Sequence, residues 1–297
     1  MDDIYDVFRE GRDFTTEETD ELARRMARSI TKKFKIRKGP ASKDKIRPSN
    51  FGQPDRKLWF DLQADPIKDK FEPEQLLNFL YGDICRYVML WLSKVAAHDG
   101  TETQKPCNFY GRRGYKDSKI DGVNVDAKSA FAANFDKFKK GTLHKPEGDP
   151  YGYVAQLSYY EQGEAGGAAE AETAYFFAFN KVGSLCVAAL NPMQQINAEE
   201  RLKHLDKIMP LPEPPEELCY APVPDGKSGN MKLGTQCSRC DHKFRCHVDL
   251  QVYDYKPWRF LTHVEVEPKV ANITRKPEDG IPTTNTPDVP EESPTES

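Results

Sequence analysis

Apolar residues recur at helical spacing in several segments of the chain. An apolar side chain at every fourth position from Leu22 to Phe34 predicts a helix over residues 14–36. A longer apolar stripe predicts a second helix over residues 73–97. The pattern elsewhere predicts a loop over residues 38–56, helices over residues 150–162 and 196–209, and strands over residues 175–179 and 184–190.

The strongest local signal is a β-hairpin at residues 114–130. Two segments with strand-like alternation flank the dipeptide Asp121-Gly122, and Asp-Gly between such segments predicts a two-residue turn. Cross-strand partners then have residue numbers that sum to 243. Because the order along the chain is helix, hairpin, helix and strands, we expect an α/β fold with a mixed central sheet flanked by helices.

The predicted register brings three charged side chains to one face of the hairpin. Asp117 faces Asp126, and Lys128 projects from the same face two residues further on. Opposed carboxylates repel each other, but a divalent cation would turn the pair into a binding site because hard cations take oxygen ligands. The lysine could then orient or activate a water for attack on phosphate. The alternative interpretation is a solvated hairpin face with an ordinary Asp–Lys pair.

The charge of the chain is unevenly distributed. The net charge is −4, yet residues 277–297 hold six acidic and no basic residues, so the remainder carries +2. Residues 24–57 hold thirteen Lys or Arg against two Asp. That segment fits contacts with phosphate groups, although a solvated helix face followed by a flexible loop has the same composition.

The apolar content and the cysteines indicate the compartment. No stretch approaches the roughly 20 apolar residues that span a bilayer, and the N-terminus lacks the layout of a signal peptide. We therefore expect a soluble, cytoplasmic protein with no membrane partner. Seven cysteines in such a chain indicate metal ligation or buried thiols rather than disulfides. Cys85, Cys107 and Cys186 have apolar neighbours and are predicted to be core thiols.

The other four cysteines form a group, Cys219, Cys237, Cys240 and Cys246. They lie within 28 residues and include a Cys-x2-Cys pair, which favours a structural metal over unligated thiols. Spacing alone does not decide between zinc and a [4Fe–4S] cluster, since both accept four thiolates. The nearby His242 and His247 are substitute ligands that favour zinc.

The hairpin resembles the metal-binding core of the PD-(D/E)xK nuclease superfamily. The closer resemblance is to RecB-like exonucleases, including the CRISPR-associated members and their relatives in tailed bacteriophages. Other segments share the resemblance in the same order along the chain. They are Arg47-Pro-Ser-Asn, Pro54-Asp-Arg-Lys-Leu-Trp-Phe60, the Gln-x3-Tyr motif at Gln156 and Tyr160, and Cys237-Ser-Arg-Cys240 followed by Cys246.

The resemblance implies a role for each matched residue. Asp117 and Asp126 become ligands of Mg²⁺ or Mn²⁺ together with the Ala127 carbonyl, and Lys128 orients the attacking water. Gln156 and Tyr160 would organise the site and the DNA backbone, and Arg47, Arg56 and Lys57 would contact DNA. The resemblance also implies that a [4Fe–4S] cluster, with Zn²⁺ as the alternative, is bound by Cys219, Cys237, Cys240 and Cys246.

The chain departs from the family pattern at two places. Relatives usually place a His or Glu on the helix before the hairpin, where this chain has Arg86. Asp83 could substitute as a metal ligand from the same helix. Relatives with a cluster often place its first cysteine in the N-terminal segment, where this chain has Pro54-Asp55-Arg56, so that Cys219 would take its place.

These patterns together predict a metal-dependent DNA nuclease, in particular an exonuclease acting on DNA ends or single strands in replication, recombination or repair. It would work in a bacterial host cell if phage-encoded, with an unidentified replication or recombination protein as partner. The expected parts are an N-terminal helix with a basic DNA-contacting arm (1–72), the nuclease core (73–210), a cysteine-rich metal-cluster module (211–275) and a disordered acidic tail (276–297). The alternatives are a catalytically inactive nucleic-acid-binding protein with a structural Zn or Fe–S module, and a purely structural zinc protein.

Overall fold

The computed structural model describes residues 2–11, 13–33, 46–63, 73–99, 105–145, 148–181 and 183–274. The chain divides into two compact units, Met1–Glu213 and Pro214–Ser297. The predicted acidic tail and the lysine-rich part of the basic arm, residues 34–45, lie outside the described residues. Within the described part of the chain, no helix is both long and apolar enough to cross a membrane.

The first unit consists of helices and strands in mixed order. They are α1 (Asp2–Arg9), α2 (Thr16–Lys33), α3 (Asp55–Gln63), α4 (Pro73–Val95), β1 (Lys105–Phe109), β2 (Arg112–Lys116), β3 (Ser118–Ile120), β4 (Val123–Ala130), α5 (Ala132–Lys139), α6 (Tyr153–Ala165), β5 (Ala174–Asn180), β6 (Ser184–Leu190), a 3₁₀ helix (Pro192–Gln194) and α7 (Ala198–Ile208).

The central sheet of this unit has four strands in the order β3-β4-β5-β6. β4 and β5 are parallel, whereas the β3–β4 and β5–β6 pairs are antiparallel. Parallel neighbours need a crossover connection, and α5 and α6 lie within it. The prediction of an α/β fold with a mixed sheet is therefore confirmed.

The hairpin adopts the predicted register over residues 118–125. Residues 114–116, which were predicted to continue its first strand, pair with β1 instead, so that Asp117 and Asp126 lie just beyond the paired positions of the hairpin. Ile120 pairs with Val123, and Lys119 pairs with Asn124. The two turn residues, Asp121 and Gly122, have φ angles of 49° and 80°, as both central residues of a type I′ turn require. Asp and Gly tolerate this left-handed conformation better than most residues, which explains why the dipeptide predicts the turn.

Both faces of the sheet are buried. Even-numbered residues of β4 and β5, such as Ala130 and Phe176, pack in one cluster with Phe138 of α5 and Leu157 of α6. The odd-numbered residues on the opposite face join side chains of α4 in a second cluster. Its members include Val125, Phe177, Phe179, Met89 and Leu92. Burial on both faces explains why β5 is a continuous apolar run rather than an alternating strand.

The three predicted core thiols lie in apolar surroundings: Cys85 in the second cluster, Cys186 beside the first cluster, and Cys107 in a third cluster with Phe51 and Tyr159. Cys85 and Cys107 are buried, and the partly buried Cys186 packs against the first cluster. Burial raises the pKa of each of the three thiols. They are therefore unreactive structural residues.

Several boundaries differ from the sequence prediction for local reasons. The helix predicted at residues 150–162 begins later, at Tyr153, because Gly152 before it is left-handed and Asp149 Oδ2 accepts a hydrogen bond from the Val154 amide. It continues to Ala165, where the left-handed Gly166 ends it. The loop predicted at residues 38–56 was wrong at its end, since α3 begins at Asp55.

The second unit is small and has little apolar interior. Its strands β7 (Val223–Pro224), β8 (Met231–Lys232), β9 (Gln251–Tyr253) and β10 (Arg259–His263) form a sheet in the order β7-β8-β10-β9, beside the short helices α8 (Thr235–Ser238) and α9 (Lys243–Cys246). Within the described part of the unit, six apolar residues are buried: Leu233, Cys237, Leu250, Val252, Tyr253 and Leu261. Small domains with so little core usually depend on a cross-link or a metal.

Candidate active site

A stripe of polar side chains lies on the face of β4 that packs against α6. Asn124, Asp126 and Lys128 occupy alternate positions and so share that face. Only 1% of Asp126 is exposed. In a strand covered on both faces, these positions normally hold apolar residues because burying a charge is costly. The stripe therefore indicates a functional requirement rather than packing.

Lys128 is held by three neighbours. Its Nζ lies 2.6 Å from Asp126 Oδ2 and donates a hydrogen bond of 2.9 Å to Gln156 Oε1. The same nitrogen lies 4.6 Å from the centre of the Tyr153 ring. The ammonium group therefore has a fixed position beside the Asp126 carboxylate.

Asp117 reaches the same place from the other strand of the hairpin. It lies between β2 and β3, one residue before the first paired position. Its Oδ2 accepts a hydrogen bond of 3.3 Å from the Ala127 amide, and its Oδ1 accepts one of 3.3 Å from Arg86 Nη1. The structure thus brings Asp117, Asp126 and Lys128 together, and their roles in catalysis remain predictions.

The charges of this group are strongly coupled. Burial raises the pKa of Asp126 to about 7; the nearby Asp117 carboxylate also raises it, and the Lys128 ammonium opposes both. Burial lowers the pKa of Lys128, but the two carboxylates outweigh this effect and raise it overall. Lys128 therefore stays protonated, so that it can orient a water or a phosphate oxygen as a donor but cannot act as the base.

The Asp126 carboxylate lacks the hydrogen bonds that a buried carboxylate normally accepts. Oδ2 has the ion-pair contact with Lys128, but neither oxygen has a hydrogen-bond partner of acceptable geometry among the described residues. Two adjacent carboxylates and the Ala127 carbonyl are the donor types that Mg²⁺ prefers. A buried carboxylate with so few partners, beside these other oxygen donors, fits a bound cation.

The donor set is nevertheless small. Nowhere in the described ranges do three or more His, Cys, Asp or Glu side chains form a group that could hold a metal ion. Asp83 Oδ2 accepts a hydrogen bond of 2.7 Å from Ser29 Oγ, and its Oδ1 lies 3.5 Å from Arg86 Nη2. Its role as a ligand stays a prediction. Because Mg²⁺ usually keeps several waters and needs only one or two carboxylates, Asp117 and Asp126 suffice chemically.

The two residues of the predicted Gln-x3-Tyr motif lie one helical turn apart on α6. Gln156 contacts Lys128, and its side chain also hydrogen-bonds to Tyr160. Burial raises the pKa of Tyr160 to about 12, and the bond to Gln156 opposes this shift. Tyr159 of the same helix is fully buried, and its hydroxyl accepts a hydrogen bond from the Phe109 amide of β1 and donates one to the Arg112 carbonyl of β2.

The N-terminal motif packs beside these residues. A Cβ built on Gly114 would lie 2.5 Å from Pro48 Cγ and 2.9 Å from Tyr160 Cε1, so that only glycine fits between them. Pro48, next to Arg47, therefore lies close to Tyr160. The segment that begins at Arg47, the first of those that share the family resemblance, therefore lies next to α6, the helix that carries Gln156 and Tyr160.

The residues predicted to contact DNA lie in this N-terminal region. Arg47 is exposed. The Arg56 guanidinium lies 5.5 Å from the centre of the Phe60 ring, and Lys57 Nζ lies 2.6 Å from an Asp61 oxygen. None of these contacts tests DNA binding, which stays a prediction.

Two polar residues next to the site were missed in the sequence. Asn124 donates a hydrogen bond of 2.6 Å to Glu161 Oε2, and Glu161 Oε1 accepts one of 3.1 Å from the Glu172 amide. Asn124 precedes Asp126 by two residues, so the same alternation that links Asp126 and Lys128 could have identified it. Glu161 carries no comparable signal, because its partner is distant in sequence.

The second unit contains the four predicted cluster ligands. Burial raises the pKa of Cys237 to about 11, and the neighbouring Cys219, Cys240 and Cys246 thiols raise it further. The other three thiols therefore lie within electrostatic range of Cys237, and no disulfide joins any of the four. A set of four neighbouring thiols fits a thiolate-bound metal chemically. Their side chains in this structure do not form a metal-holding group, so the cofactor stays a prediction.

The raised pKa of Asp126 predicts that the metal-free protein becomes less stable as the pH rises. The Asp126 carboxyl binds its proton more tightly in the folded than in the unfolded protein, so proton binding stabilises the folded state. This stabilisation is complete below the pKa of the carboxyl in the unfolded chain, and it is lost as the pH rises through the folded-state pKa of about 7. The free energies of unfolding of wild type and Asp126→Asn are measured by urea unfolding in EDTA. From about pH 4 to about pH 7, the value for wild type should fall relative to that of the variant by up to about 1.4 kcal/mol per pH unit. A difference that is constant or grows with pH would contradict this assignment.

Comparison with known proteins was made at three levels. No protein-family model, no curated protein and no solved structure matches this chain. The arrangement of this chain's own residues is therefore the basis for its proposed function.

Proposed function

We propose that this protein is a metal-dependent DNA nuclease of the PD-(D/E)xK type, related to RecB-like exonucleases. The observation that carries the proposal is the buried Asp126 carboxylate, which lies beside both Asp117 and the protonated Lys128. Among the described residues it has the ion-pair contact with Lys128 but no hydrogen bond of acceptable geometry. A charge group of this kind is expensive to bury and therefore indicates a site of chemistry. Its replication, recombination or repair role and its bacterial cytoplasmic setting belong to the same proposal.

The fold supports this proposal. The helix α4, the β3–β4 hairpin, the crossover helix α6 and the parallel strand β5 occur in the order expected for a restriction-endonuclease-like core. The hairpin carries the two aspartates, and α6 carries Gln156 and Tyr160. Each residue of the predicted motif thus lies on an element that faces the same small volume.

In the proposed reaction, Asp117, Asp126 and the Ala127 carbonyl would hold Mg²⁺ or Mn²⁺. When bound, the metal supplies charge neutralisation at the scissile phosphate and lowers the pKa of water. Lys128 donates a hydrogen bond to the attacking water or a phosphate oxygen, and Gln156 keeps its ammonium group in place. Tyr160 fixes Gln156 in turn. These residues therefore position the donor before the substrate arrives.

The β1–β2 hairpin, Lys105–Phe109 and Arg112–Lys116, supports DNA as the substrate. Residues 105–116 include four basic residues and no acidic one, and two of the four, Arg112 and Lys116, form ion pairs with Asp206 and Glu164. Tyr115 is 47% exposed two residues before Asp117, and the Arg113 guanidinium lies 5.3 Å from the centre of its ring. Exposed aromatic rings next to cations stack unpaired bases. We therefore favour single strands or frayed ends as the substrate.

Cleavage of labelled linear DNA in Mg²⁺ or Mn²⁺ tests the activity. Asp126→Asn should abolish cleavage, because it removes a ligand charge. Lys128→Met should reduce the rate by roughly 10²–10³-fold, the usual effect of deleting one charge-stabilising donor. The matched control changes an exposed Asp–Lys pair at the C-terminal end of α5, Asp136→Asn with Lys140→Met, and should cleave at the wild-type rate.

The outcome also separates the proposal from its main alternative. The alternative is a catalytically inactive nucleic-acid-binding protein, and the observation that favours it is the contact of Arg86 with Asp117. DNA binding without cleavage by the wild type would support it. Equal cleavage by wild type and Asp126→Asn would show that the assigned site is wrong, and a protein that neither binds nor cleaves DNA would have a purely structural role.

We also propose that the four C-terminal cysteines hold a metal, with a [4Fe–4S] cluster favoured over zinc by the resemblance. The small apolar interior of the second unit supports a structural role for that metal.

Protein purified without oxygen should contain iron and sulfide, or zinc, and Cys240→Ser should lose the metal and lower the unfolding temperature. The control Cys186→Ser, a core thiol of the first unit, should keep the metal. Wild-type protein that contains neither metal would contradict the cluster proposal.

A further inference from the structure

Arg86 on α4 lies between two carboxylates of the candidate active site. Nη1 lies 3.3 Å from Asp117 Oδ1, and Nη2 lies 3.5 Å from Asp83 Oδ1. Nη2 also donates a hydrogen bond of 3.3 Å to the Tyr87 hydroxyl. Only 13% of the Arg86 side chain is exposed, so the guanidinium is largely shielded from water at the place where Asp117 would bind a metal.

The contacts between the Arg86 guanidinium and its two carboxylates are long. Charge-assisted hydrogen bonds are usually about 2.7–2.9 Å long, and both carboxylate contacts of Arg86 are longer. Its Nε is buried and has no hydrogen-bond partner within the described ranges. A buried donor without a partner is costly, so the side chain would gain from a further acceptor. A phosphate group is such an acceptor because it matches the planar guanidinium with two parallel bonds.

The charge balance of the site also favours the binding of a phosphate group. Asp83, Asp117 and Asp126 provide three negative charges, and Arg86 and Lys128 provide two positive charges when all are ionised. A bound dication would leave this largely shielded group with a net positive charge. A phosphodiester adds one negative charge and restores neutrality. Unlike charges in a shielded site interact more strongly than in water, so this balance affects binding.

We propose that Arg86 is an internal counterion that competes with the divalent metal for Asp117, and that the DNA phosphate relieves the competition by taking up the guanidinium. Metal and DNA then bind cooperatively, and the metal binds weakly until a phosphate is present. By linkage, the metal strengthens DNA binding by the same factor. This inference rests on the proposed function, because Arg86 would regulate the metal site of the proposed nuclease.

Binding of Mn²⁺ to the whole protein, measured by the electron paramagnetic resonance signal of the unbound ion, tests the inference without cleavage. The proteins are wild type, Arg86→Gln and Arg86→Lys. The control Lys94→Gln removes an exposed cation of the same helix, which contacts Glu21 at 2.9 Å. Each is measured with and without a phosphorothioate single strand, and thermal unfolding confirms that each variant is folded.

Without the oligonucleotide, Arg86→Gln should bind Mn²⁺ at least about tenfold more tightly than wild type, because one competing charge is gone. Lys94→Gln and Arg86→Lys should bind like wild type. The oligonucleotide should strengthen Mn²⁺ binding to wild type by at least about tenfold and to Arg86→Gln much less.

Two results would overturn the inference. Arg86→Gln that binds Mn²⁺ no more tightly than wild type would show that Arg86 does not compete, while metal-dependent cleavage by the wild type would leave the nuclease proposal standing. Absence of Mn²⁺ binding in every variant, together with absence of cleavage, would overturn both proposals.

Discussion

The burial of the Asp126 carboxylate is the constraint on which the rest of the candidate site depends. β4 is covered by α4 on one face and by α6 on the other, so a charge on it has little access to water. Two features compensate for that cost in part. Lys128 contributes the opposite charge, and the raised pKa allows the carboxyl to take up a proton near neutral pH. The same lack of water would strengthen the field that a substrate phosphate experiences.

The hairpin turn fixes this arrangement. A shift of one residue in the register would move Asp126 and Lys128 to the opposite face, among the apolar side chains of α4. The left-handed Asp121 and Gly122 prevent such a shift because a type I′ turn sets the pairing of every residue that follows. The chemistry of the site and the local conformation of two turn residues are thus linked through the register.

Local signals in the sequence were sufficient to predict the hairpin, its register and the strands β5 and β6. The β1–β2 hairpin escaped prediction because its strands are short and include Pro106, and α5 escaped because it has only eight residues and no side-chain cap. The contacts of Arg86 could not be predicted, since they depend on how α4 packs against the sheet. The sequence identified Arg86 as a departure from the family pattern, whereas only the structure shows that it contacts Asp117.

The most direct test of the account is the position of the metal. Crystals of the protein with Mn²⁺ and a phosphorothioate single strand would be measured at the manganese absorption edge. The account predicts an anomalous peak in contact with carboxylate oxygens of both Asp117 and Asp126, with Lys128 still bonded to Gln156. A peak elsewhere, or none at these two aspartates while Arg86 keeps its contact with Asp117, would contradict it.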